Sequence, residues 1–168
     1  NVVPGYQAWR PLQLLAVLWP LLLAHLVLEL YHLYGLLWLV DLPLLAITAY
    51  MLWRWWPRGD KPRLLTVLFV GVAWLPLTFA LYSGQSIAYA LTGVYWLGRG
   101  PAHALFVGFF GSVLVAMVTR VTQGHSGQGL YMPAVAWFAF VAIQAVAVMR
   151  VLAEVLPDTV AWQALAGL

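Results

Sequence analysis

Four histidines and two carboxylates interrupt otherwise apolar stretches of this sequence: His25, Glu29, His32, Asp41, His103 and His125. An ionisable side chain inside a bilayer is costly and marks a site unless it reaches the interface. His25, Glu29 and His32 follow one another at i, i+4 and i+7, so they share one face if a single helix carries all three. Imidazole nitrogen suits iron, copper and zinc, and a carboxylate can orient the second ring nitrogen. His103, His25, His32 and Glu29 are therefore candidate metal ligands. The plainer alternative stays open beside this one: a histidine at a membrane edge often makes a single bond to a backbone carbonyl, and Glu29 could simply reach the headgroups.

These groups need elements to hold them, and the composition says which. Of 168 residues, 64% are hydrophobic and 8% charged, which no water-soluble domain matches. Ten tryptophans and eight tyrosines suit the boundary between acyl chains and headgroups. Period-two alternation is absent and the apolar runs are long, which excludes an outer-membrane barrel and predicts an all-α, polytopic transmembrane bundle of five to six spans. With no cysteine, disulfides, iron–sulfur clusters and thiolate metal sites are excluded within this piece. The predicted spans are about 11–30, 35–56, 64–81, 101–120 and 132–152, with an incomplete sixth over 158–168. They form one helical domain. The start at Asn1 and the short VAWQALAGL end are read as marks of a longer chain.

Basic residues set the predicted orientation. With the N-terminus cytoplasmic, that side holds Arg10, Arg54, Arg58, Lys61, Arg63 and Arg120, against Arg99 and Arg150 outside. The net charge of +3 thus reflects topology and gives no reason to expect nucleic acid. His25 then lies about 21 Å into the first span, in the outer part of the membrane. Asp41 and His103 fall at similar depth from the outer side. His103 and Arg120 are separated by about 25 Å of helix rise, so His103 and His125 must serve different sites.

The inner loop Gln123-Gly124-His125-Ser126-Gly127 could present an imidazole to a cofactor edge or to an anion beside Arg120, and it could equally be a plain turn. Along the fourth span, Ala104, Gly108, Ser112 and Ala116 form a small-residue stripe, with Gly111 alongside. It suits close helix packing, or the approach of a flat ring such as a porphyrin. Met117 is a soft donor that more often only packs. SGQSIAYALTGVYWLGRG, residues 83–100, is read as too short and glycine-rich to cross; it would lie along the outer interface or re-enter, either as an amphipathic loop or as a lid.

HALFVGFFGSVLVAMVTRVTQGHSG, residues 103–127, resembles the signature of the NnrS family: a His-Ala-Leu helix running through Gly-x-x-Gly and Met-x-x-Arg-Val to a Gly-His-Thr-Gly loop. VAWLPLTFAL, residues 72–81, is similar to that family's Tyr-x-Trp-Leu-x-Leu-Gly helix, and NVVPGY is a weaker echo of its Ile-Pro-x-Phe turn. The likeness is strong over residues 62–130. Phe69 stands in place of a histidine, Ser126 in place of threonine, and Gln128-Gly129 in place of Arg-Pro. The resemblance implies a bacterial inner-membrane protein of about a dozen spans, of which this would be the C-terminal half. It also implies haem b, with copper a further cofactor, and a link to nitric oxide and nitrosative stress. The residues matching the family pattern are His103, Arg120 and His125.

On this reading His103 is an axial haem ligand, with His25 or a histidine of the missing half opposite, and Arg120 steadies a propionate or the inner loop. The expected partners are the lipid bilayer, the rest of a longer chain or other membrane subunits, and a small gas such as nitric oxide. Two other classes stay open. One is a cation or proton-coupled transporter or channel that uses the outer-leaflet His and carboxylate groups. The other is a structural subunit docked through the small-residue stripe. No nucleophile, base and oxyanion constellation is present, so no turnover is assigned.

Overall fold

A computed structural model describes residues 11–56, 62–127, 129, 131–156 and 164. Among them lie five long helices and no strand: α1 (Leu12–Leu30), α2 (Trp38–Trp55), α3 (Arg63–Thr92), α4 (Gly100–His125) and α5 (Ala134–Ala153). A 3₁₀ turn, Tyr34–Leu36, joins the first two. The all-α bundle predicted from composition is the observed architecture. α1, α3, α4 and α5 are each long and apolar enough to cross a membrane. α2, which carries Asp41 in its first turn and Arg54 in its last, lies along α3. Arg10, Arg58, Lys61 and most of the predicted sixth span lie outside the described residues.

Three features depart from the sequence reading. α3 does not stop near Leu81. It continues to Thr92, where Gly93 at φ 71° caps it and its N–H bonds the Tyr89 carbonyl at 2.8 Å. A 30-residue helix is about 45 Å long, more than the ~30 Å of a hydrocarbon core, so it either tilts or extends beyond that core. What holds its last turns is a buried polar face. The Ser86 hydroxyl donates to the Tyr34 carbonyl at 2.7 Å and accepts from the Trp38 N–H at 3.0 Å. Residues 83–92 are thus helix, and only 93–99 form the connection to α4.

The second departure is that α1 ends at Leu30, so His32 is not on the face of His25 and Glu29. It sits in the turn at φ 57°, a strained value for a residue with a Cβ. The third is that α4 is not uniformly α-helical. Ala104–Gly111 winds as a π-helix between an α-turn at Gly100–His103 and an α-helix from Ser112 onward. Such wide turns are rare and tend to mark functional sites.

Packing explains where the π segment sits. Ala104, Gly108, Ser112 and Ala116 are all buried, and the stripe they form is a helix-packing face. A Cβ on Gly108 would run into the Trp74 indole of α3, and one on Gly71 would come within 2.8 Å of the Ser112 Cβ. Without a hydrophobic drive between helices in lipid, such close approach supplies the van der Waals contact that holds them. A polar link crosses the same layer. The Trp74 Nε1–H donates to Gln144 Oε1 at 2.7 Å, and the Gln144 Nε2 donates to the Ser112 hydroxyl at 2.5 Å, which ties α3, α5 and α4 together. Beyond it, Leu64, Val67, Ala116, Met132, Ala136 and Phe140 form an apolar core.

Candidate site at the polar end of the bundle

The end of α1, the start of α2, the end of α3, the start of α4 and the end of α5 gather at one end of the bundle. Between them lies a cavity of about 700 Å³, walled by Glu29, Tyr82, Tyr95, Gly98, Arg99, Ala102, His103, Phe106 and Glu154. The segment between α3 and α4 contributes Tyr95, Gly98 and Arg99 to the cavity wall. At φ 46°, Gly98 adopts a conformation that disfavours a side chain, and a Cβ there would overlap the Glu154 carboxylate. That close seat holds Glu154 at the cavity, where its Oε1 lies 4.0 Å from His103 Nε2. Burial first, and then the Glu29 charge, push the Tyr95 phenol up to about 12, so it stays a neutral hydrogen-bond donor at physiological pH.

His25 does not line this cavity. It is the one buried residue of α1, and it turns to α2: its Nδ1 lies 2.7 Å from Asp41 Oδ1. Asp41 is fully buried, and its second oxygen, Oδ2, has no hydrogen-bond partner. On its other side, His25 Nε2 lies 3.8 Å from Glu29 Oε2, so Glu29 stands between the buried pair and the cavity. The Tyr82 ring meets the imidazole edge-on at 4.8 Å.

His32 instead bonds the Tyr34 hydroxyl at 2.7 Å in an exposed cluster with Tyr89 and Tyr95. Among the described residues, no three histidine or carboxylate side chains gather closely enough to hold one metal ion. The expected set of His103, His25, His32 and Glu29 is thus divided among three places.

At the opposite end, α4 runs through His125, which is its last helical residue rather than part of a free loop. His125 and Arg120 are both exposed. The connection there is fixed by buried Gln123, whose amide donates to the Tyr131 carbonyl at 2.7 Å and accepts from the Tyr131 N–H at 3.0 Å. Phe69, at the position where the family pattern has a histidine, packs its ring on Trp56 at 5.9 Å, away from the cavity. Met117 points outward, 41% exposed.

The whole chain, residues 1–168, matches the family described as NnrS protein. It belongs to the NnrS family. No curated protein and no solved structure matches the chain. Family membership and the four spanning helices support a membrane protein of the nitric oxide response.

In this NnrS chain the two stretches that carried the resemblance are packed on each other, since Trp74 of VAWLPLTFAL covers Gly108 of HALFVGFFG. His103 opens the second of these stretches at the cavity wall. Glu154 at the cavity and Gln144 in the layer beside it are not among the residues that the sequence singles out, whereas Arg99 and the segment carrying Tyr95 are expected on this side. The available signal was polarity: Gln144 interrupts an apolar span, and Glu154 follows directly at its end.

Proposed function

We propose that this NnrS protein binds haem b in the cavity and acts in nitric oxide metabolism or nitrosative-stress resistance at the bacterial inner membrane. The supporting observation is His103, which is both the histidine of the family-like motif and a cavity-wall residue beside Arg99. The wall chemistry fits a haem. His103 offers an imidazole donor, Arg99 a guanidinium for a propionate, and Phe106 and Ala102 apolar contact. When bound, the haem iron supplies a coordination position for a gas such as nitric oxide. The chain's own part is to orient the ring through His103, to hold Glu154 over Gly98, and to present Tyr95 as a donor at the cavity edge.

A copper ion fits the described residues less well. His25, His32 and His103 stand in three separate places, and among the described residues no three histidine or carboxylate side chains gather closely enough to hold one ion. No copper chemistry is assigned. The cavity end carries Arg99 and Arg150, whereas Arg54, Arg63 and Arg120 lie at the other end. That supports a periplasm-facing cavity and a cytoplasmic N-terminus for the chain.

The test is an absorption spectrum with metal analysis of the full-length protein. The expected result is a Soret band that is lost or shifted in His103→Ala. An unshifted band in that variant overturns the assignment, and a colourless, metal-free protein would turn the reading towards a transporter or a structural subunit.

A further inference from the structure

Buried ionisable groups inside a membrane bundle are expensive, yet α1 buries only one residue against its neighbours and that residue is His25. Its partner Asp41 is 0% exposed and keeps one carboxylate oxygen unpartnered. A docking contact alone would be served by a leucine in the same seam, at no desolvation cost. The groups around the imidazole are Glu29 on α1, Asp41 on α2 and Tyr82 on α3, with Phe79 giving an apolar edge contact at 6.4 Å. Glu29 is the carboxylate that reaches both the imidazole and the cavity, where Tyr82, Tyr95, Arg99, His103 and Glu154 share the wall with it.

We propose that Glu29, His25 and Asp41 form a proton-transfer line from the cavity to a buried acceptor, with Asp41 as the proton-loading site. An ionised carboxylate only accepts hydrogen bonds, so with Asp41 charged His25 must carry its proton on Nδ1 and leave Nε2 as an acceptor. A proton taken up by the Glu29 carboxylate from the cavity passes to His25 Nε2, while the Nδ1 proton moves to Asp41 Oδ1. Glu29 ends as the anion, His25 as the other neutral tautomer and Asp41 as the acid. No electron moves, and the reverse transfer returns the proton to the cavity.

The 2.7 Å contact serves both states, because the Asp41 O–H then donates to Nδ1. The 3.8 Å gap to Glu29 is closed by rotation of that side chain, which is one-third exposed, or by one bridging water. The line does not involve His103, Glu154 or any bound cofactor.

The test uses full-length protein in lipid nanodiscs, read by infrared difference spectroscopy across a pH step in H₂O and D₂O. The expected signal is the C=O stretch of a buried protonated carboxyl group that appears on acidification and is lost in Asp41→Asn. This substitution keeps the shape and an acceptor for Nδ1–H, so a purely structural pair tolerates it with the fold intact. In Glu29→Gln the band should survive, but its hydrogen–deuterium exchange should slow by about a hundredfold, the scale of a lost positioned acid–base group.

No pH-dependent carboxyl band, a band unchanged by Asp41→Asn, or wild-type exchange in Glu29→Gln would each overturn the line. Should Asp41→Asn fail to accumulate, the exchange rate in Glu29→Gln decides by itself. The readout is independent of haem: a colourless protein that still gives the Asp41 signal breaks the cofactor assignment and leaves the line standing.

Discussion

The two ends of this bundle are built on different terms. Around Val67 and Phe140 the helices meet through an apolar core, and one buried amide, that of Gln123, closes the connection. Around Tyr82 and His103, where α1 and α2 join α3, α4 and α5, the bundle buries Asp41, His25, Ser83, Gln85 and Ser86 and leaves a cavity of about 700 Å³. An end made only for packing has no reason to desolvate so many polar groups, since each needs a partner or costs free energy. These buried polar groups and the cavity thus lie at one end and the larger apolar core at the other, with a second apolar cluster of Trp74, Ala104 and Ala147 between them. The π segment of α4 and the Trp74–Gln144–Ser112 link form the layer between them.

Substitutions at the two ends test this contrast. Phe140→Ala opens a void in the apolar core and should destabilise the protein most, towards the low end of the about 3–5 kcal/mol seen for such truncations, since in lipid only the packing part remains. A detergent-resistant thermal transition measures that loss, and any cofactor spectrum should stay unchanged. If the spectrum moved as well, the two ends would be coupled.

Gly108→Val forces a side chain into the Trp74 indole at the boundary layer, with an expected cost of about 1–3 kcal/mol. Here both readouts should respond, because the π segment that follows His103 must shift. The smallest effect belongs to the exposed pair at the packed end. Arg120→Ala with His125→Ala should change stability by no more than about 0.5 kcal/mol and leave the spectrum as it was. A displaced Soret band in that double variant would place a cofactor contact at the wrong end and dissolve the contrast.

Several parts of this arrangement were legible in the sequence. The convergence of His25, Glu29, Asp41 and His103 at one depth follows from counting residues along spans, and the structure brings all four to the same end. The small-residue stripe at Ala104, Gly108, Ser112 and Ala116 is likewise a packing face, because its i+4 spacing survives the winding change. The reading failed where an element's end was decided by its surroundings. Residues 83–92 are rich in small and polar side chains, yet they stay helical because Ser86 bonds across to Tyr34 and Trp38. His32 was placed on a face that the chain leaves at Leu30.

By itself, then, the sequence determined a membrane helix bundle, the gathering of His25, Glu29, Asp41 and His103 at one end of it and the presence of a family-like histidine at the start of α4. All of these depend on local apolar length, residue spacing and motif. Only the tertiary structure decided the partners: Asp41 for His25, Glu154 for His103, and Gln144 for both Trp74 and Ser112. Those choices depend on how each helix is rotated against its neighbours. A π segment or a late helix end changes that rotation without leaving a mark in the spacing of the residues.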